Sequence, residues 1–228
     1  TVYIPAGTWE LGRKIGLDHS DLTIRGAGMW YTNLRFTSDQ AGGGFVFNRG
    51  VGGVTMTDFY MSSSLTSRYG EKAQYKGFAG SAGANSTVRN SSVRGNGDDG
   101  LASWSSIDTS TNSQARVAEA NSFVGNTIEL GWWASGIGIF GGKSHAIRDN
   151  LLVNNFSGAG IRLNTVFDGH NFDLNTDGGI TIAHNKLVRS GTTNDFYGNT
   201  RGAIDFQEVK GDIRNVSATD NVIVRPYA

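Results

Sequence analysis

The sequence predicts an all-β protein, a right-handed parallel β-helix, and three observations carry that reading. Apolar clusters are short and are separated by Gly, Asn, Asp and Ser. Helical periodicity is nearly absent. Asparagine and glycine recur in a register that repeats along the chain. With 33 Gly in 228 residues the chain holds about twice ordinary usage, alongside 19 Asn and only 2 Pro. A 38% share of hydrophobic residues is enough to build a core.

The repeat is read from three segments. Ser86 to Trp104 is STVRNSSVRGNGDDGLASW, Asn121 to Phe140 is NSFVGNTIELGWWASGIGIF, and Ser144 to Asn164 is SHAIRDNLLVNNFSGAGIRLN. Asn90, Asn126 and Asn150 each precede a glycine by ten residues, at Gly100, Gly136 and Gly160. The pattern continues at Asn185, which reaches Gly202 after a longer loop, and at Asn221. Leu22–Gly26 and Val54–Phe59 look like the same strand type. Asn-to-Asn steps of 36, 24, 35 and 36 residues set one rung at about 24 residues, some rungs carrying insertions of about a dozen. Three short strands per rung, stacked at about 4.8 Å, describe the solenoid. The asparagines would then form an inward ladder, each amide bonding its neighbour. A β-sandwich is the competing fold, but sandwiches do not repeat an Asn–Gly register.

The chain opens on the strand Val2-Tyr3-Ile4 and its last strand is Val222-Ile223-Val224. Bare strands at both ends leave open edges. The expectation is one β-helix domain over 1–228, an incomplete piece lacking its N-terminal cap, with rungs missing near 80–86. Lys and Arg number 20, as do Asp and Glu, so the net charge is zero. That balance argues against nucleic acid or an anionic membrane as partner. The absence of cysteine removes disulfides, thiolate catalysis and Cys-based metal sites. No apolar run approaches membrane-spanning length.

One rung departs from its neighbours. Gly97-Asp98-Asp99-Gly100 lies opposite Trp133-Ala134-Ser135-Gly136 and Ser157-Gly158-Ala159-Gly160. Adjacent carboxylates pressed against stacked neighbours repel, and folding alone gives no reason to place them there. Glycoside hydrolysis needs such a set: one protonated carboxyl for the leaving oxygen and one carboxylate to activate water. Close aspartates push their titrations apart, which helps to keep one protonated. The competing reading is a solvated acidic turn. Sugar sites also need flat apolar faces, and Trp104, Trp132 and Trp133 flank the same column. Arg162 falls in the column of Ala102 and Gly138, a long cation among small residues, fit to reach sugar hydroxyls. The four histidines, at 19, 145, 170 and 184, lack metal-ligand spacing, and Asp168, Asp173 and Asp177 form an acidic loop without the fixed spacing of a calcium site.

The opening Val2-Tyr3-Ile4-Pro5-Ala6-Gly7 with Leu22-Thr23-Ile24-Arg25-Gly26-Ala27-Gly28 resembles the first rungs of the pectate-lyase-like superfamily. More specific is Asn85–Asn90 followed by Arg94–Ser105, together with Gly136–Gly142. These resemble the mycodextranase and α-1,3-glucanase (mutanase) glycoside hydrolases along most of the chain. The resemblance implies inverting hydrolysis of an α-1,3-linked glucan, Asp98 and Asp99 as catalytic residues, no cofactor, a secreted monomer, and a polysaccharide as partner. It also implies a third Asp about twenty residues before the pair. Glu71 to Asn85 contains no Asp, and Glu71 is its one acid. A non-catalytic carbohydrate-binding β-helix and a polysaccharide lyase are the alternatives. Basic residues are not concentrated near the pair, which disfavours the lyase.

Overall fold

The computed structural model describes residues 1–38, 43–48, 50–64, 75–81, 83–107, 115–172 and 178–228. Glu71, Asp173 and Asp177 lie outside the described residues. Three parallel sheets run the length of the molecule. The first stacks Val2–Ile4, Thr23–Gly26, Thr55–Thr57, Thr87–Arg89, Ser122–Val124, Ala146–Arg148, Ile180–Ala183 and Val216–Thr219. The second stacks Gly7–Leu11, Thr32–Phe36, Tyr60–Ser63, Ser92–Arg94, Thr127–Glu129, Leu151–Val153, Lys186–Val188 and Val222–Val224. The third stacks Ile15–Leu17, Gly43–Phe47, Tyr75–Ser81, Leu101–Trp104, Ile137–Phe140, Ile161–Asn164 and Ile204–Gln207. Each pass of the chain gives one strand to each sheet in turn, so the fold is a parallel β-helix, as the repeat implied. Among the described residues no helix is long and apolar enough to cross a membrane.

The core follows from alternation, since neighbouring side chains on a strand face opposite ways. Met56, Val88, Phe123, Ile147 and Ile182 form one inward column in the first sheet. Leu34, Met61, Val93, Ile128, Leu152 and Leu187 form another in the second. Leu101, Ile137 and Ile161 continue it in the third. All of these are buried.

Between the first two sheets the asparagine ladder is present. Asn126 Nδ2 donates to Asn150 Oδ1 at 3.1 Å, Asn150 to Asn185 at 2.9 Å, and Asn185 to Asn221 at 2.9 Å. Each ladder oxygen also takes the backbone N–H of the rung before it. The register corrects the reading at one point. Ser91, not Asn90, is the ladder position, its N–H donating to Asn126 Oδ1 at 3.1 Å. Asn90 occupies the preceding left-handed corner at φ 47°, where the other rungs place Gly125, Asp149, His184 and Asp220.

A second polar stack lines the corner before the first sheet. Ser86 N–H donates to Asn121 Oδ1, and Asn121 N–H to His145 Nδ1. Burial drives the His145 pKa down from 6.5 to about 4. The unfolded chain therefore takes up a proton near pH 6.5 that the folded chain refuses until about pH 4. This contribution to stability is present above pH 6.5 and is lost as pH falls toward 4. Its full size is about 3 kcal/mol. His145→Asn, which copies the neighbouring rung, is expected to flatten that part of the stability–pH profile in urea titrations. Parallel profiles for variant and parent would contradict it.

Candidate active site

The glycines that end each turn are fixed by packing. A Cβ on Gly100 would stand 2.7 Å from the Gly136 carbonyl oxygen, and one on Gly136 would stand 2.8 Å from that of Gly160. Rungs therefore touch backbone to backbone just before the third sheet, and whatever precedes Gly100 is held in place. The turn there is one residue shorter than in the next two rungs. Arg94 registers with Glu129 and Val153 on one side, and Leu101 with Ile137 and Ile161 on the other. Asp98 and Asp99 occupy this shortened turn, 8% and 3% exposed.

Backbone amides aim both carboxylates. Asp98 Oδ1 accepts the Asp99 N–H at 2.8 Å, and Asp99 Oδ1 accepts the Ser135 N–H of the next rung at 2.9 Å. Asn96 Nδ2 donates to the Asp98 carbonyl oxygen. Asp99 lies over the outer face of the third sheet, where the column reads Ala102, Gly138, Arg162, Asp205. A Cβ on Gly138 would come within 3.0 Å of Asp99 Cγ and Oδ1. The missing side chain at 138 is the room that the carboxylate uses. Arg162, in the next rung, is close enough for Asp99 to bear on its charge. Burial lowers the Arg162 pKa, while Asp99, Asp205 and Asp195 oppose that and favour the cation.

The sheet face, the shortened turn and two outward loops enclose a cavity of about 680 Å³. Asp98, Asp99, Trp104, Trp133 and Arg162 all line it. Trp132 does not; its backbone N–H donates to the Asn96 carbonyl at 2.8 Å, and its indole nitrogen lies beside Gly95. Of the two adjacent tryptophans named from the sequence, the cavity lining takes Trp133.

Sequence reasoning missed much of the cavity wall. Phe140, Phe167 and His170 form one side, the histidine ring lying 5.3 Å from Phe140 and 5.4 Å from Phe167. Burial lowers the His170 pKa to about 4, so the ring is neutral near neutral pH. Phe196 and Tyr197, from the loop over 192–201, form another side with Trp133. Asp195 is a third carboxylate in the lining, but its oxygens are committed. Oδ1 accepts the N–H groups of Tyr197 and Asn199, both at 2.8 Å, and Oδ2 takes Arg201 Nε at 2.7 Å. Burial raises the Asp195 pKa, yet these bonds outweigh it and hold the carboxyl below its ordinary value. The single signal for this wall in the sequence was the long loop before Gly202. Asp168 of the expected acidic loop pairs with Lys210 at 2.9 Å. No group of three His, Asp or Glu fit to hold a metal occurs among the described residues.

The chain is 36% identical to the Agl-KA catalytic domain, covering 99% of this chain and 48% of that one, with a TM-score of 0.67. It shares the β-helix fold of solved GH87 catalytic domains. The neighbours that carry the α-1,3-glucanase name agree with the family resemblance read from the sequence. A GH87 α-1,3-glucanase catalytic domain solved as an aspartate-to-alanine variant with tetrasaccharides matches at 18% identity, over 98% of this chain and 49% of that one, TM-score 0.62. The catalytic unit of the GH87 α-1,3-glucanase from Streptomyces thermodiastaticus strain HF3-3 matches at 22% identity, over 98% and 48%, TM-score 0.54. The chain thus spans about half the length of these GH87 catalytic domains. No protein-family model matches it, nor does any curated protein.

Gly138→Ala is expected to swing the Asp99 carboxylate off the Ser135 amide and to lower stability by about 1–3 kcal/mol through overpacking. A crystal structure of the variant and a urea titration check both. An Asp99 that keeps its bond to Ser135 would show that the glycine does not aim it.

Proposed function

We propose that this chain carries the cleavage centre of an α-1,3-glucan hydrolase. The observation that carries the reading is the buried Asp98–Asp99 pair bordering an open, aromatic-walled cavity. The 36% identity to a solved catalytic domain supports it, as do the oligosaccharide complexes of the more distant GH87 neighbours.

In the inverting reaction one carboxyl gives its proton to the leaving glycosidic oxygen. A carboxylate takes a proton from the water that attacks the anomeric carbon from the opposite face. Three carboxyls line the cavity among the described residues, and Asp195 is held by Arg201 and two backbone amides. One Asp of the Asp98–Asp99 pair is assigned the acid's work, with the water activated by another carboxylate near the groove. Trp104 and Trp133 supply faces for sugar rings, and Arg162 a donor for sugar hydroxyls. The work of such an enzyme on a polysaccharide fits a secreted protein acting alone on its substrate, without cofactor, nucleic acid or membrane.

A second reading is a carbohydrate-binding β-helix that does not cleave. It is favoured by the committed state of Asp195 and by the lack of Asp between Glu71 and Asn85. Incubation of the protein with a panel of α- and β-glucans separates the two. Hydrolysis of the α-1,3-linked members is expected, and binding without product would select the second reading. Asp98→Asn and Asp99→Asn are each expected to lower turnover by about 10²–10⁴ with the melting transition unchanged. Near-parental turnover in both would reduce the pair to a surface turn.

A further inference from the structure

The loop over 192–201 is built more rigidly than a surface connection requires. Thr192 and Arg201 close its neck as an antiparallel bridge, N–H to carbonyl at 2.9 and 2.8 Å. Within the loop, Asp195 N–H donates to the Asn199 carbonyl at 2.8 Å and Gly198 N–H to the Asp195 carbonyl at 3.0 Å. The Asp195 side chain binds two further amides and Arg201, whose Nη1 also reaches Asp205 at 3.5 Å. The Asp195–Arg201 pair is itself 8% and 9% exposed. Yet this fixed loop holds two large rings in the open, Phe196 at 47% and Tyr197 at 74% exposure. Folding gains little from rings left in water. Their placement has a different logic. Phe196 lies 5.1 Å from Trp133 and 5.2 Å from Tyr197, and all three line the cavity that contains the aspartate pair.

We propose that the loop over 192–201 is a preformed sugar-stacking wall, in which Phe196 and Tyr197 with Trp133 receive a pyranose ring of the glucan. Asp195 and Arg201 act as positioning residues. The occupant follows from continuity with the cleavage cavity. A sugar chain entering it has apolar ring faces to cover, and wet aromatic rings held in place beforehand lose little entropy on binding. The proposal rests on the glucan reading for the identity of the sugar. The wall acts on binding and leaves the chemical step alone.

Steady-state kinetics on soluble α-1,3-gluco-oligosaccharides, with tryptophan-fluorescence titration of the same sugars, test it. Phe196→Ala and Tyr197→Ala are expected to raise KM and Kd by about three- to tenfold with kcat within twofold of the parent. Tyr197→Phe is expected to recover most of the affinity that Tyr197→Ala loses, since it keeps the ring. Asp195→Ala, which releases the loop, is expected to give the KM effect with both rings still present. If Phe196→Ala and Tyr197→Ala leave KM and Kd within twofold, the wall is overturned. Should the parent bind without cleaving, the fluorescence arm still decides: loss of binding in Phe196→Ala upholds the wall while hydrolysis falls. Should the parent cleave and the ring variants bind as it does, the wall falls and hydrolysis stands.

Discussion

The close approach of rungs at Gly100, Gly136 and Gly160 is the constraint on which the site depends. A carbonyl oxygen of one rung sits within 2.8 Å of where the Cβ of the rung before it would have been. Backbone contact at that distance leaves the turn before Gly100 no freedom to relax away from its neighbours. Asp98 and Asp99 are therefore held against the fold, and amides of the same stack satisfy them. Solenoids gain stability rung by rung through such nearest-neighbour contacts. A rung can thus carry a buried pair of carboxyls because the rungs on either side are regular.

The same stacking supplies the surroundings. In the column Ala102, Gly138, Arg162, Asp205, side-chain size changes at each step. The small residues make room for Asp99, and the charged ones follow at the next rungs. Arg162 also bonds Gln207 in the adjoining rung. Insertions on either side of the third sheet, one after Ile161–Asn164 and one before Ile204–Gln207, rise as walls around this face. The fold thus separates its tasks: regular strands set positions, and departures from regularity supply chemistry.

How much of this the sequence disclosed follows from the same division. The repeat exposed the fold because stacking demands like residues at like positions. It exposed Asp98 and Asp99 for the converse reason, since neighbouring rungs manage with Ala134-Ser135 and Gly158-Ala159. The Asn90 assignment failed because the turn after it is one residue shorter, and an asparagine one position early restored the ten-residue spacing by coincidence. The choice between Trp132 and Trp133 was not legible, because it depends on left-handed corners at Leu130 and Ala134, φ 56° and 58°, where non-glycine residues give little sign of their conformation. Phe196, Tyr197 and His170 sit in or beside insertions that have no counterpart in other rungs, so comparison within the chain could not reach them.

The central claim is that an aspartate pair displaced from the repeat supplies the acid of an inverting cleavage. The stereochemistry of the first product tests it most directly. Proton NMR of an α-1,3-glucan digest, followed before mutarotation, should show the β-anomer released first, since water attacks the face opposite the leaving oxygen. Initial release of the α-anomer would mean a retained configuration and a covalent intermediate, and would contradict the mechanism.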